Sequence, residues 1–369
     1  MKLSPSLPSL LLLALSACAA GDAADVLASS ASELSARRST IIVHYPAGAG
    51  HSITVRGAAA GLTWWAGRPT AAGAEDTWVL PLDLEASVEL KPLYDDATWA
   101  KGPNYALAPG QTLDVWPVFF HEGGRLERRA RWHTEQLPDR DVVVYLPPSY
   151  DENARERYPV VYMHDAQNLF DDAGAFGGVA WDVAGAMNRG FQGASIHEAI
   201  IIGLDNTSAR MWEYTPTSGG GGGGGASRYV DFVAHEVKPA IDRDFRTFPE
   251  REHTGVIGSS LGGLVSAFAG ITQADTFGLV GAVSPSTWWD GRWIVGQVRS
   301  AATLPMRVYV DSGDSGPSRD DVINTAELAR AYRERGADLR YVVQPGASHN
   351  ERWWRERLPS ALGFLLGGR

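Results

Sequence analysis

The chain has 369 residues, of which 44% are hydrophobic and 21% charged, so it is long enough for two domains and can bury a sizeable core. Its formal net charge of −10 argues against nucleic acid or an anionic membrane surface as the main partner. The chain has one cysteine, which excludes an internal disulfide, so the fold must rest on its core.

The first residues have the pattern of an export signal. "MKLSPSLPSLLLLALSACAA" places one lysine before an apolar run that is too short to span a membrane. Its "LSAC" resembles the lipobox of bacterial lipoproteins, in which the cysteine becomes the lipidated first residue of the mature chain. The resemblance implies a signal peptide over 1–17, lipidation at Cys18, a flexible tether over 18–38 and attachment to the bacterial cell envelope. A plain signal peptide with a chance cysteine is the alternative.

Residues 39–124 are predicted to form a small all-β sandwich. Short, partly alternating runs such as "TIIVHY", "HSITVRG" and "TWVLPLDL" are separated by turn-forming segments at regular spacing. The region resembles the Ig-like or carbohydrate-binding modules that often precede secreted esterases. Its tryptophans are expected to fill the sandwich core, with an exposed platform for a sugar ring as the alternative. These residues are Trp64, Trp65, Trp78 and Trp99.

Residues 125–369 have a different pattern. Strands that are apolar throughout, such as "YPVVYMHDA" and "AIIIGLDN", alternate with amphipathic helices such as "VINTAELARAYRERG". This alternation predicts an α/β domain with a mostly parallel sheet and helices on both faces. The seven consecutive glycines of 219–225 contain a formal GxGxxG match. No strand leads into them as a dinucleotide-binding fold requires, so we expect a flexible surface loop.

The segment "HTGVIGSSLGGLVSAFAG" contains a candidate nucleophile. Its "GSSLG" fits G-x-S-x-G with Ser260 at the centre, a match that is weak alone because glycine and serine are frequent. Its context is more specific, because a strand, "TGVI", precedes the serine and a helix-compatible run follows it. That arrangement is the nucleophile elbow of α/β-hydrolases, in which glycines make room for a sharp turn. The free N–H groups of the new helix point at Ser260, where negative charge develops.

A nucleophilic serine needs a base and an acid. α/β-hydrolases carry their triad in the chain order serine, acid, histidine, and His349 is the only histidine after Ser260. The acid is expected in "DSGDSGPSRDD", the loop after the strand "MRVYVD", and we prefer Asp314. Three other aspartates of this segment also qualify but are less favoured, because one is expected to lie still in the strand and either of the other two is able to cap the next helix instead. They are Asp311, Asp320 and Asp321.

Further residues are expected around the nucleophile. The backbone N–H of Leu261, the residue after Ser260, is expected to contribute to the oxyanion hole. Trp288 and Trp289 follow "SPS" at the carboxyl end of a strand, where α/β proteins bind ligands. They are candidates to line the substrate pocket, with simple packing as the alternative. No HExxH motif, paired cysteine or calcium-type loop occurs, so no metal or other cofactor is expected.

The α/β part resembles the esterase D-like family, which includes feruloyl and acetyl-xylan esterases, siderophore trilactone esterases and mycolyltransferases. The resemblance spans nearly all of residues 140–369 and includes "YPVVYMHDAQNLFD", "GSSLGGL", "AVSPSTWW" and "GASHNERWWRERLPSALGFL". It implies a Ser–Asp–His ester hydrolase, assigns Ser260 and His349 directly, and places a second oxyanion donor near Gln167. Many relatives place the acid three residues after the glycine that ends the strand. Here that position is Gly316, which keeps Asp320 open.

We therefore predict an exported serine carboxylic-ester hydrolase that works through an acyl-enzyme. Its expected substrate is a small-molecule or polysaccharide ester outside the cytoplasm, such as a feruloylated or acetylated carbohydrate. A siderophore trilactone esterase, an acyltransferase of the mycolyltransferase kind and a non-catalytic glycan-binding protein are the alternatives. We expect no nucleic-acid partner, and membrane contact only through Cys18.

Overall fold

A computed structural model describes residues 36–219 and 221–367. The predicted signal peptide, Cys18 and most of the predicted tether lie outside the described residues. Within these two ranges, no helix has both the length and the apolar character needed to cross a membrane.

Two small sheets form the N-terminal part of the described chain. One has the strand order β4-β5-β1-β9, and the other has the order β3-β2-β6-β7 with β8 also paired to β6. Alternate residues of β1 are buried, as the period of a half-buried strand requires. Both sheets contribute to one apolar cluster, as the predicted sandwich requires. The strands are β1 (Arg37–His44), β2 (Ile53–Gly57), β3 (Arg68–Pro69), β4 (Ala71–Ala72), β5 (Thr77–Leu84), β6 (Val88–Tyr94), β7 (Thr98–Trp99), β8 (Tyr105–Leu107) and β9 (Thr112–Val115).

Most of the tryptophans in this part do not fill its core. Trp65 is 86% exposed and Trp99 is 39% exposed, and the rings of Trp64 and Trp99 lie 6.2 Å apart. Only Trp78 packs against the apolar cluster. The expectation of core packing is therefore wrong for the other three. Trp64 and Trp65 lie in the connection between β2 and β3, and Trp99 ends a two-residue edge strand, so none of the three faces the interior.

An eight-stranded sheet organises the C-terminal part, in the order β10-β11-β13-β12-β14-β15-β16-β17. The pairs β10–β11 and β11–β13 are antiparallel, and the remaining pairs are parallel. β12 to β15 are buried along their whole length, because helices cover both faces. The strands are β10 (Arg125–Trp132), β11 (Arg140–Leu146), β12 (Val160–His164), β13 (Ile200–Leu204), β14 (Thr254–Ser259), β15 (Leu279–Val283), β16 (Arg307–Gly313) and β17 (Asp338–Gln344).

Alternate residues of one strand enter different cores. Val160 and Tyr162 of β12 belong to one apolar cluster, and Val161 and Met163 to the other. This division confirms the predicted α/β fold. The helices are α1 (Ser149–Glu152), α2 (Val183–Gln192), α3 (Arg210–Glu213), α4 (Ala226–Phe232), α5 (Lys238–Asp244), α6 (Leu261–Thr272), α7 (Trp289–Ser300), α8 (Val322–Glu334) and α9 (Glu351–Leu366). A π-helical turn, Val233–Val237, joins α4 to α5, and 3-10 turns cover Ala166–Asn168, Phe176–Gly178, Arg251–His253 and Arg319–Asp321.

The two parts meet at α1. The Glu152 carboxylate accepts backbone N–H groups from Phe119, Phe120 and His121 at 2.7, 2.8 and 2.5 Å. The next residue, Asn153, donates from its side chain to the carbonyl of His44 at 2.9 Å. β10 begins at Arg125, where the sequence predicts the second domain to start, and the division into separate domains stays a prediction.

The described part of 219–225 is a surface loop that is packed at some of its glycines, and its flexibility stays a prediction. Gly221, Gly222 and Gly224 are exposed, whereas Gly219, Gly223 and Gly225 lie against tryptophan rings. A Cβ atom on Gly223 would lie 2.1 Å from the Thr215 hydroxyl and 2.8 Å from the Trp289 ring. One on Gly225 would lie 2.3 Å from the Trp212 ring. These positions therefore have no space for a side chain, and the loop closes over two tryptophans.

Candidate active site

Ser260 lies in a one-residue turn between β14 and α6. Its φ of 57° and ψ of −121° are strained for a residue with a side chain. Two backbone hydrogen bonds hold it there: its N–H donates to the Val283 carbonyl at 3.0 Å, and its own carbonyl accepts from Ser286 at 2.9 Å. A Cβ atom on Gly258 would lie 2.8 Å from the backbone of Gly262. The strand and helix therefore approach as closely as the predicted elbow requires.

His349 joins Ser260 to an acidic side chain. It lies between β17 and α9, with its Nε2 atom 2.9 Å from Ser260 Oγ. Its Nδ1 atom is 2.6 Å from Oδ1 of Asp320. A hydroxyl, an imidazole and a carboxylate thus stand in the order that activates a serine for nucleophilic attack.

The structure does not bring Asp314, the acid preferred from the sequence, to His349. Asp314 instead accepts the backbone N–H of Gly346 at 2.7 Å. The chain after β16 turns sharply, and Arg319, Asp320 and Asp321 all have positive φ, between 49° and 54°. This turn directs Asp320 toward His349, so the preference for Asp314 is corrected to Asp320.

The other two aspartates have different partners. Asp311 is buried in β16 with its Oδ2 atom 2.9 Å from Nε of Arg357. Burial raises the pKa of Asp311, and Arg357 opposes that rise. Asp321 accepts the backbone N–H of Trp288 at 3.1 Å and the side-chain amide of Asn324 at 2.6 Å. Neither carboxylate is hydrogen-bonded to His349.

Asp320 is buried but well supplied with donors. Its Oδ2 atom accepts the Ser284 hydroxyl at 2.6 Å and the backbone N–H of Gly313 at 2.5 Å. Burial raises the pKa of Asp320, but hydrogen bonds from His349, Ser284 and Gly313 outweigh it and hold the pKa below its ordinary value. The carboxyl group is therefore ionised at neutral pH, as a partner of a protonated imidazole must be.

Arg357 and Ser284 lie at the Asp320 oxygen that does not face His349. The sequence analysis identified neither residue. Arg357 donates from Nη2 to the Ser284 hydroxyl at 2.7 Å, and the same nitrogen lies 3.6 Å from the Asp320 carboxylate. A signal for Arg357 was present, since it is a charged residue among the apolar positions of α9, next to Trp354 and Leu358. Nothing local in the sequence distinguishes Ser284 from its neighbours.

Ser260 and His349 lie between two cavities. The first has a volume of about 630 Å³ and the second about 540 Å³, and both are lined by these two residues. The first cavity is also lined by Asp165, Gln167, Asn206, Arg210, Glu351 and Trp354. The second is also lined by Pro285, Ser286, Trp288, Ser318 and Asp321. An ester bound at Ser260 therefore has space on two sides.

The expected oxyanion donors lie next to this space. Leu261 is the first residue of α6, so its N–H has no carbonyl one turn earlier to bond. Gln167 lies in the turn after β12 and lines the first cavity, with its side-chain oxygen accepting the Asn206 N–H at 3.2 Å. The positions fit the expectation, and the role of these N–H groups stays a prediction.

The two adjacent tryptophans have different environments. Trp288 is 54% exposed and lines the second cavity. Trp289 is buried, and its Nε1 atom donates to the Thr217 hydroxyl at 3.0 Å. Trp288 lies beside a cavity that Ser260 also lines, and its role in substrate binding stays a prediction, whereas the packing alternative applies to Trp289.

The loop after β12 is held by polar contacts. His164 is buried, its Nδ1 atom is 2.8 Å from the Tyr229 hydroxyl, and burial lowers its pKa to about 4, so its ring is neutral. Asp165 has a φ of 60° and accepts two hydrogen bonds from Arg210, at 2.7 and 2.8 Å. Within 36–219 and 221–367, no group of His, Cys, Asp or Glu is arranged to hold a metal ion.

Comparison with known proteins gives a consistent result. The Esterase family, described as "Putative esterase", matches residues 134–365. The iron(III) salmochelin esterase of Escherichia coli O6:H1 is 26% identical over 285 residues, which cover 73% of this chain and 64% of that protein. The ferri-bacillibactin esterase BesA of Bacillus subtilis is 28% identical over 206 residues, covering 49% of this chain and 68% of that protein.

Solved structures show the same fold. A ferulic acid esterase has a TM-score of 0.52 at 20% identity, covering 66% of this chain and 98% of that chain. The enterobactin esterase FES of Shigella flexneri has a TM-score of 0.55 at 17% identity and covers 85% of this chain and 87% of that chain.

Proposed function

The chain belongs to the Esterase family and is a carboxylic ester hydrolase, and on this premise we propose that Ser260, His349 and Asp320 are its catalytic triad. The observation that carries this proposal is the unbroken series of short contacts, 2.9 Å from Ser260 to His349 and 2.6 Å from His349 to Asp320. The pKa of Asp320, held below its ordinary value, supports its role as the charge that stabilises imidazolium.

The reaction follows from this order of groups. His349 Nε2 takes the proton of Ser260 Oγ as that oxygen attacks the ester carbonyl. The resulting oxyanion accepts the N–H of Leu261 and a second donor near Gln167. When the tetrahedral intermediate collapses, His349 gives the proton to the leaving alcohol and an acyl-enzyme remains. Water, deprotonated by His349, then attacks the acyl carbon, and its proton returns to Ser260 as the carboxylic acid leaves.

The test of this mechanism uses the neighbouring serine as its control. Purified Ser260→Ala is expected to lose at least about 10⁴-fold in kcat on a short p-nitrophenyl ester, because the nucleophile is gone. Ser259→Ala, which removes the adjacent hydroxyl, is expected to retain activity. If Ser260→Ala, with its substitution verified by mass spectrometry, turned over the ester at the wild-type rate, the assignment of Ser260 as nucleophile would be wrong.

For the substrate, we propose a feruloylated or acetylated carbohydrate outside the cytoplasm. The exposed ring of Trp65 supports this, as do the rings of Trp64 and Trp99, whose centres lie 6.2 Å apart, because exposed aromatic faces stack on sugar rings. Pull-down of the full chain on insoluble polysaccharide, compared with Trp65→Ala, tests this point. Equal retention of both proteins would remove this support.

A siderophore ester is the second candidate, because curated relatives carry the names of siderophore esterases. Relative rates on methyl ferulate, an acetylated sugar and a catecholate trilactone separate the two. An acyltransferase of the mycolyltransferase kind remains the third, and the products formed with a sugar acceptor would identify it.

We also propose export and lipid attachment at Cys18. The support is the apolar run followed by "LSAC" at the start of the chain. Metabolic labelling with a radioactive fatty acid is expected to mark the wild-type protein and not Cys18→Ser.

A further inference from the structure

The charged residues around Ser260 are unevenly distributed. In the described chain, the first cavity is lined by Asp165, Arg210 and Glu351, and the second by Asp321, besides the histidine that both share. The two cavities together are therefore lined by three carboxylates and one guanidinium. Which of these charges a substrate meets depends on which are already paired.

The single guanidinium is already paired. Arg210 makes two hydrogen bonds to the two oxygens of Asp165, at 2.7 and 2.8 Å, and its guanidinium lies 5.1 Å from the centre of the Tyr214 ring. Its charge is therefore largely neutralised. Recruiting Arg210 to an anionic ligand would leave Asp165, which is 5% exposed, without its partner.

The other two carboxylates form no salt bridge with a lysine or arginine of the described chain. Across 36–219 and 221–367, no lysine or arginine lies within 4.0 Å of Glu351 or Asp321. Asp321 accepts only from neutral donors, the backbone N–H of Trp288 and the amide of Asn324. Glu351 begins α9, where a carboxylate stabilises the helix, and it also faces the cavity beside Ser260. Each cavity thus has one carboxylate with no lysine or arginine of the described chain at salt-bridge distance.

We propose that this cleft selects esters whose acyl and alcohol parts both lack negative charge, and that Glu351 and Asp321 are the specificity-determining residues, one in each cavity. The inference rests on the proposed ester hydrolysis at Ser260. An anionic group in either cavity meets a like charge in a partly enclosed site, where repulsion is stronger than in water. Neutral acyl and sugar esters fit this cleft, and an ester carried by a polyanionic metal complex does not.

The experiment uses pairs of esters that differ in one charge. p-Nitrophenyl methyl adipate and p-nitrophenyl hydrogen adipate place the charge on the acyl side, and their chain is too long for the free carboxylate to displace nitrophenolate rapidly by forming a cyclic anhydride. Methyl 4-acetoxybenzoate and 4-acetoxybenzoic acid place it on the alcohol side. Each kcat/KM of the full-length protein at pH 8 is divided by the rate constant for hydroxide hydrolysis of that ester. The neutral ester of each pair is expected to be preferred by at least about tenfold at low ionic strength, and less in high salt.

Three variants assign the effect to residues. Glu351→Gln and Asp321→Asn keep the shape of the side chain but remove its charge, and the amide of Asp321→Asn can accept only one of the two hydrogen bonds that Asp321 accepts. Each variant is expected to reduce the preference about fivefold or more in one of the two pairs. Glu356→Gln is the matched control: it removes the same charge from an exposed position of α9 outside both cavities. It is expected to leave both preferences unchanged. Using the ratio within a pair cancels any general loss of activity.

The outcomes are distinguishable. Ser260-dependent hydrolysis with no preference for the neutral esters, or with a preference that neither salt nor either variant changes, overturns the charge selection and leaves the proposed function intact. Hydrolysis that does not depend on Ser260, or none at all, overturns both.

Discussion

At the scale of single residues, Asp320 has the most demanding position in the candidate site. It is fully buried, and it stays ionised because three groups donate hydrogen bonds to it. Asp314, six residues earlier in the sequence, lies on the same loop but bonds a different backbone group. The two aspartates therefore provide a matched pair for testing which carboxylate orients His349.

Asp320→Asn is expected to lower kcat by about 10³–10⁴-fold, because an amide neither fixes the required imidazole tautomer nor stabilises imidazolium. Asp314→Asn is expected to stay within about threefold of the wild type, since an amide oxygen still accepts the Gly346 N–H. Steady-state kinetics on one ester measures both. The reverse order of effects would return the acid role to Asp314.

His164 makes stability depend on pH. Its folded pKa of about 4 is below its ordinary value of about 6.5, so the unfolded chain binds a proton more readily. Stability from this residue is complete above about pH 6.5 and falls, by about 3 kcal/mol, as pH drops toward 4. Urea unfolding at several pH values should show this slope, and His164→Gln should flatten it. An equal slope in both proteins would contradict the buried neutral ring.

At the scale of elements, the glycine loop and α7 are packed together. Trp289 at the start of α7 fills the space that side chains at Gly219 and Gly223 would occupy. The loop also makes internal backbone hydrogen bonds, including Gly224 to Thr215 at 3.1 Å. We therefore expect the packed part of this segment to contribute to stability.

Gly223→Ala is expected to lower the free energy of unfolding by about 1–3 kcal/mol, because its methyl group has no space beside Thr215 and Trp289. Gly221→Ala is the matched control, since its Cβ atom would meet only the Trp289 ring at an ordinary 3.8 Å. Denaturant titration followed by tryptophan fluorescence compares them. Equal free energies of unfolding for the two variants would mean that the loop can move to accommodate the added methyl group without cost.

At the scale of the whole molecule, Glu152 holds the sandwich to the α/β part. Its carboxylate receives three successive backbone N–H groups from the connecting segment. Residues 39–124 and 125–369 stand as proposed domains, and this junction is where their independence is measured.

Glu152→Ala is expected to loosen the junction, because it leaves those N–H groups without their acceptor. Limited proteolysis should then separate the two parts at a lower protease concentration than in the wild type. Glu122→Ala, which removes a side chain that is 81% exposed, is the control and should cut like the wild type. Identical digestion of all three proteins would show that other contacts hold the junction.

The sequence by itself determined the family and the parallel α/β fold and predicted Ser260 and His349 as nucleophile and base, because each depends on a local pattern: strand and helix periodicities, the elbow motif and chain order. Only the tertiary structure brings Asp320, rather than Asp314, to His349, since the direction of each side chain depends on a turn of residues with positive φ. Likewise, the exposure of Trp65, the burial of Trp289 and the support from Arg357 depend on which distant elements pack nearby. Neighbours that are distant in sequence leave no local pattern, whereas the glycines that permit the sharp turn at Ser260 lie within a few residues of it.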